Sequence, residues 1–373
     1  GTKLMSDIKR IGILTSGGDC AGLNAAIRAV VHRATSGYGW EVYGISRSTH
    51  GLLQRPPQFQ KLERQNDSYP LLATGGTILG TTNKGNPFAF PLPDGTLGDR
   101  SQEIIDGYHQ LGLDALIGIG GDGSLAILRR IAQQGNIKLV AIPKTIDNDL
   151  GSTERAIGFD TAVNIATEAL DRLHFTAASH SRVMVLEVMG RDAGHIAISA
   201  GIAGGADIIL IPEIQYSMDA ICHYLARLQE QGKTYATMVV AEAVCNESGE
   251  KITRNLALSQ CRLGGVGQYL ADTISARTGA ETRVTVLGHV QRGGIPSPLD
   301  RLTATAFGVA ATDLLAEGRF DRMVSWQNRQ VVDVPIESAI AHYQAVDPNS
   351  TLVKTARAMD ICLGDVVKVP LSV

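Results

Sequence analysis

Residues 115–124 read ALIGIGGDGS, an apolar run that ends in glycines and a single acid. The run is typical of a buried strand, and the amphipathic segment 124–134 that follows is typical of a helix. Further strands are predicted in the same alternation with helices, at 10–15, 41–46, 139–143, 182–189, 207–212, 237–244 and 283–289. Such alternation produces parallel sheets covered by helices on both faces, so the sequence predicts an α/β fold.

The composition sets the broad class of the protein. The chain has 373 residues, of which 44% are hydrophobic and 19% are charged, which predicts a soluble globular protein of two domains. A net charge of −3 argues against a nucleic-acid partner. The most apolar stretch, 195–212, contains His195 and Asp207, so we interpret it as a helix and a buried strand and expect no membrane association.

The five cysteines are scattered along the chain and show no metal-binding spacing. We interpret them as reduced thiols and therefore expect a cytoplasmic protein. Residues 1–4 precede Met5 and are expected to be a remnant of an expression tag.

Polar or glycine-rich segments follow several of the predicted strands. These segments are TSGGDCAG (15–22), GGDGS (120–124), PKTIDND (143–149), EVMGRDAG (187–194) and GHVQRGG (288–294). Ligands of open α/β sheets bind beyond the carboxyl ends of the strands. The sequence therefore predicts an active site at these strand exits.

Two of the segments, 16–24 and 120–126, have the composition of phosphate-binding loops. Small residues between a strand and a helix let backbone N–H groups approach an anion, although a plain tight turn is the alternative. Neither loop is a GxxxxGK[ST] motif. Asp122 would repel a phosphate unless a cation lay between them, so we predict Mg²⁺ bound with the phosphates of a nucleotide.

The segment 143–149 supplies the residue types that phosphoryl transfer to an alcohol requires. Asp147 is a candidate base for a hydroxyl proton, and Lys144 is a candidate cation for the transferring charge. The alternative is a solvated turn without a catalytic role.

Several arginines flank predicted strands, namely Arg182, Arg191, Arg283 and Arg292. The planar guanidinium suits a bidentate contact with phosphate oxygens, so the set indicates a doubly charged anion such as a sugar phosphate. Glu242 is an acid in an otherwise apolar strand. It is a candidate acceptor for sugar hydroxyls, or else it marks the end of that strand.

Together and in this order, the motifs resemble those of the 6-phosphofructokinase family. The resemblance covers most of residues 10–300 and rests on GILTSGGD, GGTILGT, GGDGS, TIDND, GFDTA, SHSRVMVLEVMGRDAG, AGGAD and TVLGHVQRGG. It implies two Rossmann-like three-layer α/β/α domains with mostly parallel sheets and an active site in the cleft between them. Residues 7–157 plus 291–342 would bind the phosphoryl donor, and 158–290 plus 343–373 would bind fructose 6-phosphate.

The resemblance also implies the reaction and its residues. The γ-phosphoryl of ATP would pass to the 1-hydroxyl of D-fructose 6-phosphate, giving fructose 1,6-bisphosphate in glycolysis. The catalytic residues would be Asp147 as the base, Thr145, Arg191 and Lys144. The nucleotide would lie against Gly18, Asn83, Lys84, Gly121, Asp122, Gly123 and Ser124, with Mg²⁺ at Asp122. The sugar phosphate would contact Thr145, Asp147, Asp149, Arg182, Met189, Gly190, Arg191, Glu242, Arg283, His289 and Arg292.

Two positions bear on the phosphoryl donor. Members of the pyrophosphate-using branch resemble this chain but carry aspartate at the position of Gly123, where the α-phosphate of a nucleotide would lie, so glycine favours ATP. Lys144 is typical of pyrophosphate users. We weigh Gly123 more heavily and expect ATP, with a pyrophosphate-dependent enzyme and a non-catalytic sensor of nucleotide and sugar phosphate as alternatives. Asn83 replaces the usual bridging arginine, and Lys84 lies next to it.

The resemblance implies a homo-oligomer, either a tetramer or a dimer. Arg182 and Arg283 would then reach the site of a neighbouring subunit.

Overall fold

The computed structural model describes residues 7–256 and 260–365. These residues form two compact units. Unit 1 takes the described residues of Gly1–Ile146, Leu150–Thr161 and Arg292–Tyr343, and unit 2 takes those of Asp147–Asp149, Ala162–Gln291 and Gln344–Val373. The tag remnant expected at 1–4, and the part of 343–373 beyond Asp365, lie outside the described residues.

Strands and helices alternate along most of the chain. The strands are β1 (Arg10–Thr15), β2 (Glu41–Ile45), β3 (Phe59–Leu62), β4 (Phe90–Pro91), β5 (Leu97–Gly98), β6 (Ala115–Gly120), β7 (Leu139–Thr145), β8 (Ile157–Gly158), β9 (Val183–Val188), β10 (Ile208–Leu210), β11 (Ala236–Ala241), β12 (Thr253–Leu256), β13 (Gln260–Leu263), β14 (Thr282–Val286), β15 (Arg322–Gln327) and β16 (Gln330–Pro335). The α-helices are α1 (Leu23–His32), α2 (His50–Leu53), α3 (Tyr69–Ala73), α4 (Ser101–Gln110), α5 (Asp122–Gly135), α6 (Phe159–His180), α7 (His195–Ala203), α8 (Met218–Glu230), α9 (Val266–Thr278), α10 (Pro298–Ala316), α11 (Ile336–Ala341) and α12 (Thr351–Ala358).

Each unit is organised around one largely parallel sheet. The sheet of unit 1 has the order β16-β15-β7-β6-β1-β2-β3, and β8 pairs with β7. Its central neighbours are parallel, whereas β3 and β16 pair antiparallel at its two edges. The sheet of unit 2 has the order β10-β11-β9-β14, and all of its pairs are parallel. The predicted α/β class with mostly parallel sheets is confirmed.

Continuous burial explains why the central strands were recognisable in the sequence. Every residue of β6, β9 and β11 is buried, as expected of parallel strands that are covered on both faces. The edge strands lack this signal. The hairpin of β15 and β16 was not predicted, and its two-residue turn holds Asn328 and Arg329 at φ of 50° and 66°. Arginine is not a residue that such turns favour, so the turn sequence does not predict a hairpin.

Two local predictions were wrong. The sequence predicts a helix near 261–277, but the helix begins only at Val266, because residues 260–263 belong to the antiparallel pair of β12 and β13. The composition of 85–93 and 94–99 predicts loop, but this segment contains the short antiparallel pair of β4 and β5. Strands β4 and β5 have two residues each, and β12 and β13 have four each, so all of them are too short for periodicity to predict.

Helices α1 and α10 pack closely against each other in unit 1. A Cβ atom on Gly308 would lie only 2.7 Å from the Ala26 carbonyl oxygen, which shows that α10 approaches the α1 backbone directly. The neighbouring Phe307 is fully buried, and its ring centroid lies 6.4 Å from that of Trp326 on β15. Phe307 therefore links α10 to the core on the sheet.

None of the helices among residues 7–256 and 260–365 combines the length and the apolar character needed to cross a membrane.

We expect Phe307→Ala to destabilise the protein by about 3–5 kcal/mol, because the substitution leaves a cavity in a packed core. Leu302→Ala on the same helix is the control, since the Leu302 side chain is 66% exposed. Urea unfolding followed by circular dichroism measures both variants. Equal losses of stability in the two would contradict the assignment of Phe307 to the core.

Candidate active site

The loop after β1 is shaped by glycine in the left-handed region. Gly17 has φ of 84°, and Gly22, which precedes α1, has φ of 110°. Ser16 N–H donates to the Ile119 carbonyl of β6 over 2.9 Å. This bond holds the first glycine loop beside the end of β6, where the second one begins.

The second glycine segment is a helix start rather than a loop. β6 ends at Gly120, Gly121 precedes the helix in an extended conformation, and α5 already begins at Asp122. Asp122, Gly123 and Ser124 therefore occupy the first helical turn, where N–H groups lack partners within the helix and attract anions. Asp122 Oδ1 accepts the N–H of Gly123 over 2.7 Å.

Gly123 faces open space. A Cβ atom at this position would meet no atom of the described residues within 4 Å. The backbone there is helical and compatible with any residue, so conformation does not require glycine. What glycine provides is room beside the first turn of α5.

Lys144 and Ser124 converge on the first glycine loop. The buried Lys144 Nζ donates to the Gly18 carbonyl. A Cβ atom on Gly17 would lie 2.9 Å from Ser124 Oγ and 3.3 Å from Lys144 Nζ. Unit 1 thus brings together the two glycine segments and the end of β7.

Arg292 also lies on this loop. Its Nη1 donates to the Asp19 carbonyl over 3.2 Å, and a Cβ atom on Gly18 would lie 2.9 Å from its Cζ. The absence of a side chain at Gly18 therefore lets the Arg292 guanidinium approach the loop. The sequence placed Arg292 with the sugar phosphate, whereas in this structure its guanidinium contacts the glycine loop.

Asn83 and Lys84 are exposed. They follow the segment 74–78, which is held by a residue that the sequence analysis did not identify. Asn24, fully buried in α1, donates to the carbonyls of Thr74 and Gly75 over 3.0 and 3.1 Å. Its Oδ1 accepts the N–H of Ile78 over 2.8 Å. An amide within an otherwise apolar helix was the available sequence signal for this role.

The acidic triplet follows β7 and is not solvated. Asp147 is 5% exposed and Asp149 is 4% exposed, which excludes the solvated turn considered from the sequence. Asn148 between them has φ of 54°, a left-handed value that asparagine tolerates better than most residues. The turn thus presents two buried carboxylates directly after Thr145.

The short strand β8 braces the end of β7. Its residues pair with Lys144 and Thr145, and the buried Asp300 of α10 accepts the Gly158 N–H over 3.0 Å. Asp300 also accepts the N–H of Thr161 over 2.8 Å and its hydroxyl over 2.5 Å. Sequence reasoning recognised the GFDTA motif but missed Asp300, which lies far away in the chain.

In unit 2, a turn with unusual backbone angles follows β9. Gly190 has φ of 152° and Arg191 has φ of 52°. Glu242, directly after β11, accepts the N–H groups of both residues on Oε1, over 3.2 and 2.9 Å. Glu242 therefore shapes the turn that carries Met189, Gly190 and Arg191, a contact that was not foreseen.

Arg182 and Arg283 lie at the other end of this sheet. Arg182 precedes β9 and Arg283 is near the start of β14, and both pair with Glu281, over 2.9 and 2.7 Å. The six residues of β9 span roughly 20 Å. The chain therefore does not bring these two arginines to its own Arg191. His289 is exposed in the 3₁₀ turn Gly288–Arg292.

The glycine-rich segment 264–267 at the start of α9 already binds a carboxylate of the chain itself. The buried Glu187 of β9 accepts the N–H groups of Gly265 and Gly267 over 3.1 and 2.9 Å. This carboxylate takes the place that a phosphate occupies at a nucleotide-binding helix start. The segment therefore has a structural role. Its sequence, GGVGQYL (264–270), also lacks the third glycine of the dinucleotide-binding motif GxGxxG.

Among the described residues, no three histidine, cysteine, aspartate or glutamate side chains cluster as a metal cage.

Comparison with known proteins identifies the family. The phosphofructokinase family model matches residues 10–315. The chain belongs to the phosphofructokinase family. It is 71% identical to ATP-dependent 6-phosphofructokinase 1 of Nostoc sp., over 97% of this chain and 100% of the relative. It is 66% identical to ATP-dependent 6-phosphofructokinase 1 of Synechocystis sp., with the same coverage of 97% and 100%.

A solved phosphofructokinase has the same fold. The crystal structure of Pichia pastoris phosphofructokinase in the T-state aligns with a TM-score of 0.76 and 32% identity. The alignment covers 95% of this chain and 37% of the yeast chain, so the present chain spans about a third of that relative.

Cys20 lies within the first glycine loop of this phosphofructokinase and is fully buried. Burial raises the pKa of its thiol to about 12, against the opposing positive charges of Lys144 and Arg292. Because the thiolate is the reactive form, we expect Cys20 to resist alkylation in the folded protein at about pH 8. Iodoacetamide labelling with peptide mapping measures this, and labelling in denaturant is the control. Equal labelling of Cys20 in both states would contradict its burial.

Proposed function

We propose that this chain is an ATP-dependent 6-phosphofructokinase. It transfers the γ-phosphoryl of ATP to the 1-hydroxyl of D-fructose 6-phosphate and yields fructose 1,6-bisphosphate in glycolysis. The 71% and 66% identical relatives carry this activity in their names. The observation that carries the choice of donor is the open space at Gly123, beside the first turn of α5.

Unit 1 is proposed to hold ATP. Gly18, Gly121 and Ser124 would line its phosphates with backbone N–H groups and a hydroxyl, and the α5 N-terminus adds partial positive charge. Gly123 leaves room for the part of ATP that pyrophosphate lacks. Asn83 and Lys84 would contact the donor from the exposed side of the site.

The start of α5 is compatible with a Mg²⁺ site. Asp122 is the acidic residue of the first turn of α5, and Mg²⁺ is commonly held by one or two carboxylates together with substrate phosphates and water. When bound, the ion would neutralise part of the phosphate charge. Asp122 would hold it, and the helix N-terminus would bind the phosphate oxygens that remain.

Asp147 is proposed as the base at the acceptor. Its carboxylate would take the proton of the 1-hydroxyl while that oxygen bonds to the γ-phosphorus and the bond to ADP breaks. Thr145 and Asp149 would orient the sugar on either side of it. Lys144 and Arg191 would stabilise charge on the transferring group, because both carry fixed positive charge.

Unit 2 is proposed to hold fructose 6-phosphate. Met189 and Gly190 would contact the sugar, while Glu242 and His289 would bind its polar groups. Arg292 would contribute to phosphate binding if its guanidinium rotates away from the glycine loop. This arrangement keeps the assignment of 7–157 plus 291–342 to the donor and of 158–290 plus 343–373 to the sugar phosphate.

The position of two arginines supports the proposal of a homo-oligomer, either a tetramer or a dimer. Arg182 and Arg283 lie at the amino end of the unit 2 sheet, roughly 20 Å from the turn of Arg191. We propose that they bind the sugar phosphate of a neighbouring subunit. A cytoplasmic location is also proposed, since Cys20, Cys222, Cys245 and Cys362 are all free thiols.

A panel of phosphoryl donors tests the proposal. Purified protein is assayed with ATP or pyrophosphate, with and without Mg²⁺, and we expect turnover only with ATP and Mg²⁺. Gly123→Asp should raise the KM for ATP at least about tenfold, because a carboxylate beside a phosphate is repelled. Gly123→Ala is the matched control and should be nearly neutral. Turnover with pyrophosphate alone would overturn the choice of donor, and binding without turnover would favour a sensor.

Asp147→Ser should lower kcat by about 10²- to 10⁴-fold, the range expected when a general base is lost. The dissociation constant for fructose 6-phosphate should stay the same, because the base acts in the transition state. Steady-state kinetics and equilibrium binding measure the two quantities. An unchanged kcat in this variant would refute the role of Asp147.

A further inference from the structure

The segment 344–346 joins two turns of unit 2 that the proposed function uses. Gln344 N–H donates to the Asp149 carbonyl over 2.9 Å, directly at the end of the acidic triplet. The Gln344 carbonyl accepts from His195 Nε2 over 2.8 Å, at the first residue of α7. A carbonyl oxygen only accepts, so His195 carries its proton on Nε2 in this contact.

Glu213 completes the connection. Its Oε2 accepts the Val346 N–H over 2.6 Å. The same carboxylate accepts the N–H of Gly194, over 3.0 Å on Oε1 and 3.1 Å on Oε2. Gly194 ends the EVMGRDAG segment that carries Arg191. One side chain therefore binds both the Arg191 segment and the segment 344–346.

These hydrogen bonds connect to the Asp147–Asp149 turn, which contains a residue in the left-handed conformation. Asn148 has φ of 54° and is followed by the buried Asp149, so the exit of the turn is held partly by its bond to Gln344. Val346 is also buried, at 5% exposure, which anchors the other end of the segment. Bonds to an ionised carboxylate are stronger than those between neutral groups, so Glu213 is the firmest of the contacts.

We propose that His195 and Glu213 are positioning residues for phosphoryl transfer. Acting through the segment 344–346, they hold the Asp147–Asp149 turn and the Arg191 turn in a fixed arrangement within unit 2. Neither side chain contacts the reacting atoms. This inference rests on the proposed roles of Asp147 and Arg191, and it gives His195, Glu213 and the segment 344–346 individual roles that the sequence analysis did not assign.

His195→Phe removes the bond to Gln344 while keeping an aromatic ring. We expect kcat to fall about 10- to 100-fold, because small displacements of catalytic groups have effects of that size. The KM for ATP should not change, since unit 1 carries the proposed donor site. His195→Gln keeps an N–H donor and should restore most of kcat. Full activity of His195→Phe, or no rescue by His195→Gln, would overturn the role of His195.

His174→Phe is the matched control. His174 Nε2 also contacts a backbone carbonyl in unit 2, that of Gly204, over 2.6 Å, but it lies away from the segment 344–346. The same substitution there removes the same kind of bond, so kcat should remain at the wild-type level. If the two variants lose activity and thermal stability alike, the effect is general destabilisation and the inference is wrong.

Glu213→Gln tests the second contact. The amide has one acceptor oxygen in place of two and carries no negative charge, so the bonds from Gly194 and Val346 become weaker and an N–H₂ group replaces one of the two acceptors. Because His195 and Glu213 hold the same segment, the double variant Glu213→Gln/His195→Phe should lose less kcat than the product of the single losses. Independent, multiplicative losses would contradict a shared segment.

Hydrogen exchange separates this inference from the proposed function. The amides of Gln344 and Val346 should exchange faster in both single variants than in the wild type and in His174→Phe, whatever reaction the protein catalyses. Absence of 6-phosphofructokinase activity in the wild type would refute the function but leave this readout intact. Wild-type activity with unchanged exchange in the variants would refute the positioning role alone.

Discussion

The turns that carry the proposed site depend on carboxylates that accept backbone N–H groups where parallel strands end. A turn at such an exit leaves N–H groups without partners, and burying them unpaired costs free energy. Three acidic side chains meet this need: Glu213 at Gly194 and Val346, Glu242 at Gly190 and Arg191, and Asp300 at Gly158 and Thr161. The turns of unusual backbone geometry persist because these acceptors hold them.

These bonds have a cost that the structure shows at Asp300. Burial raises the pKa of this carboxyl, while its bonds from Thr161 and Gly158 act in the opposite direction. A carboxylate placed in such surroundings must be well hydrogen-bonded, and Asp300 accepts three bonds. Acidic residues of this chain therefore serve two purposes, since some brace turns, whereas Asp122 and Asp147 are proposed to act on ligands.

The direction of the strands decides which charged residues can act together in one chain. Arg191 follows the carboxyl end of β9, whereas Arg182 precedes its amino end, although the two are only nine positions apart in sequence. In a loop, residues nine positions apart can lie side by side, but an extended strand keeps them apart. The same geometry explains why Arg182 and Arg283, which both form ion pairs with Glu281, are proposed to act on a neighbouring subunit.

The sequence by itself determined the α/β class, the buried parallel strands and the family. Continuous apolar runs such as 115–120, in alternation with helices, are typical of strands buried on both faces of a parallel sheet, and the motifs at the strand exits are local in the chain. The glycine at position 123 also belongs to this part, because the absence of a side chain is a property of the residue itself.

Only the tertiary structure decided which distant residues hold those motifs in place. Asp300, Asn24, Glu187, Glu213 and the segment 344–346 act on turns far from them in sequence, and a single sequence carries no record of such pairings. It also showed that Asp122 begins a helix and that Arg292 lies against Gly18. The local sequence pattern determines the helices and strands, because buried side chains recur along each of them at a characteristic spacing. The hydrogen-bond partners of backbone groups in the turns are determined only when distant segments pack together.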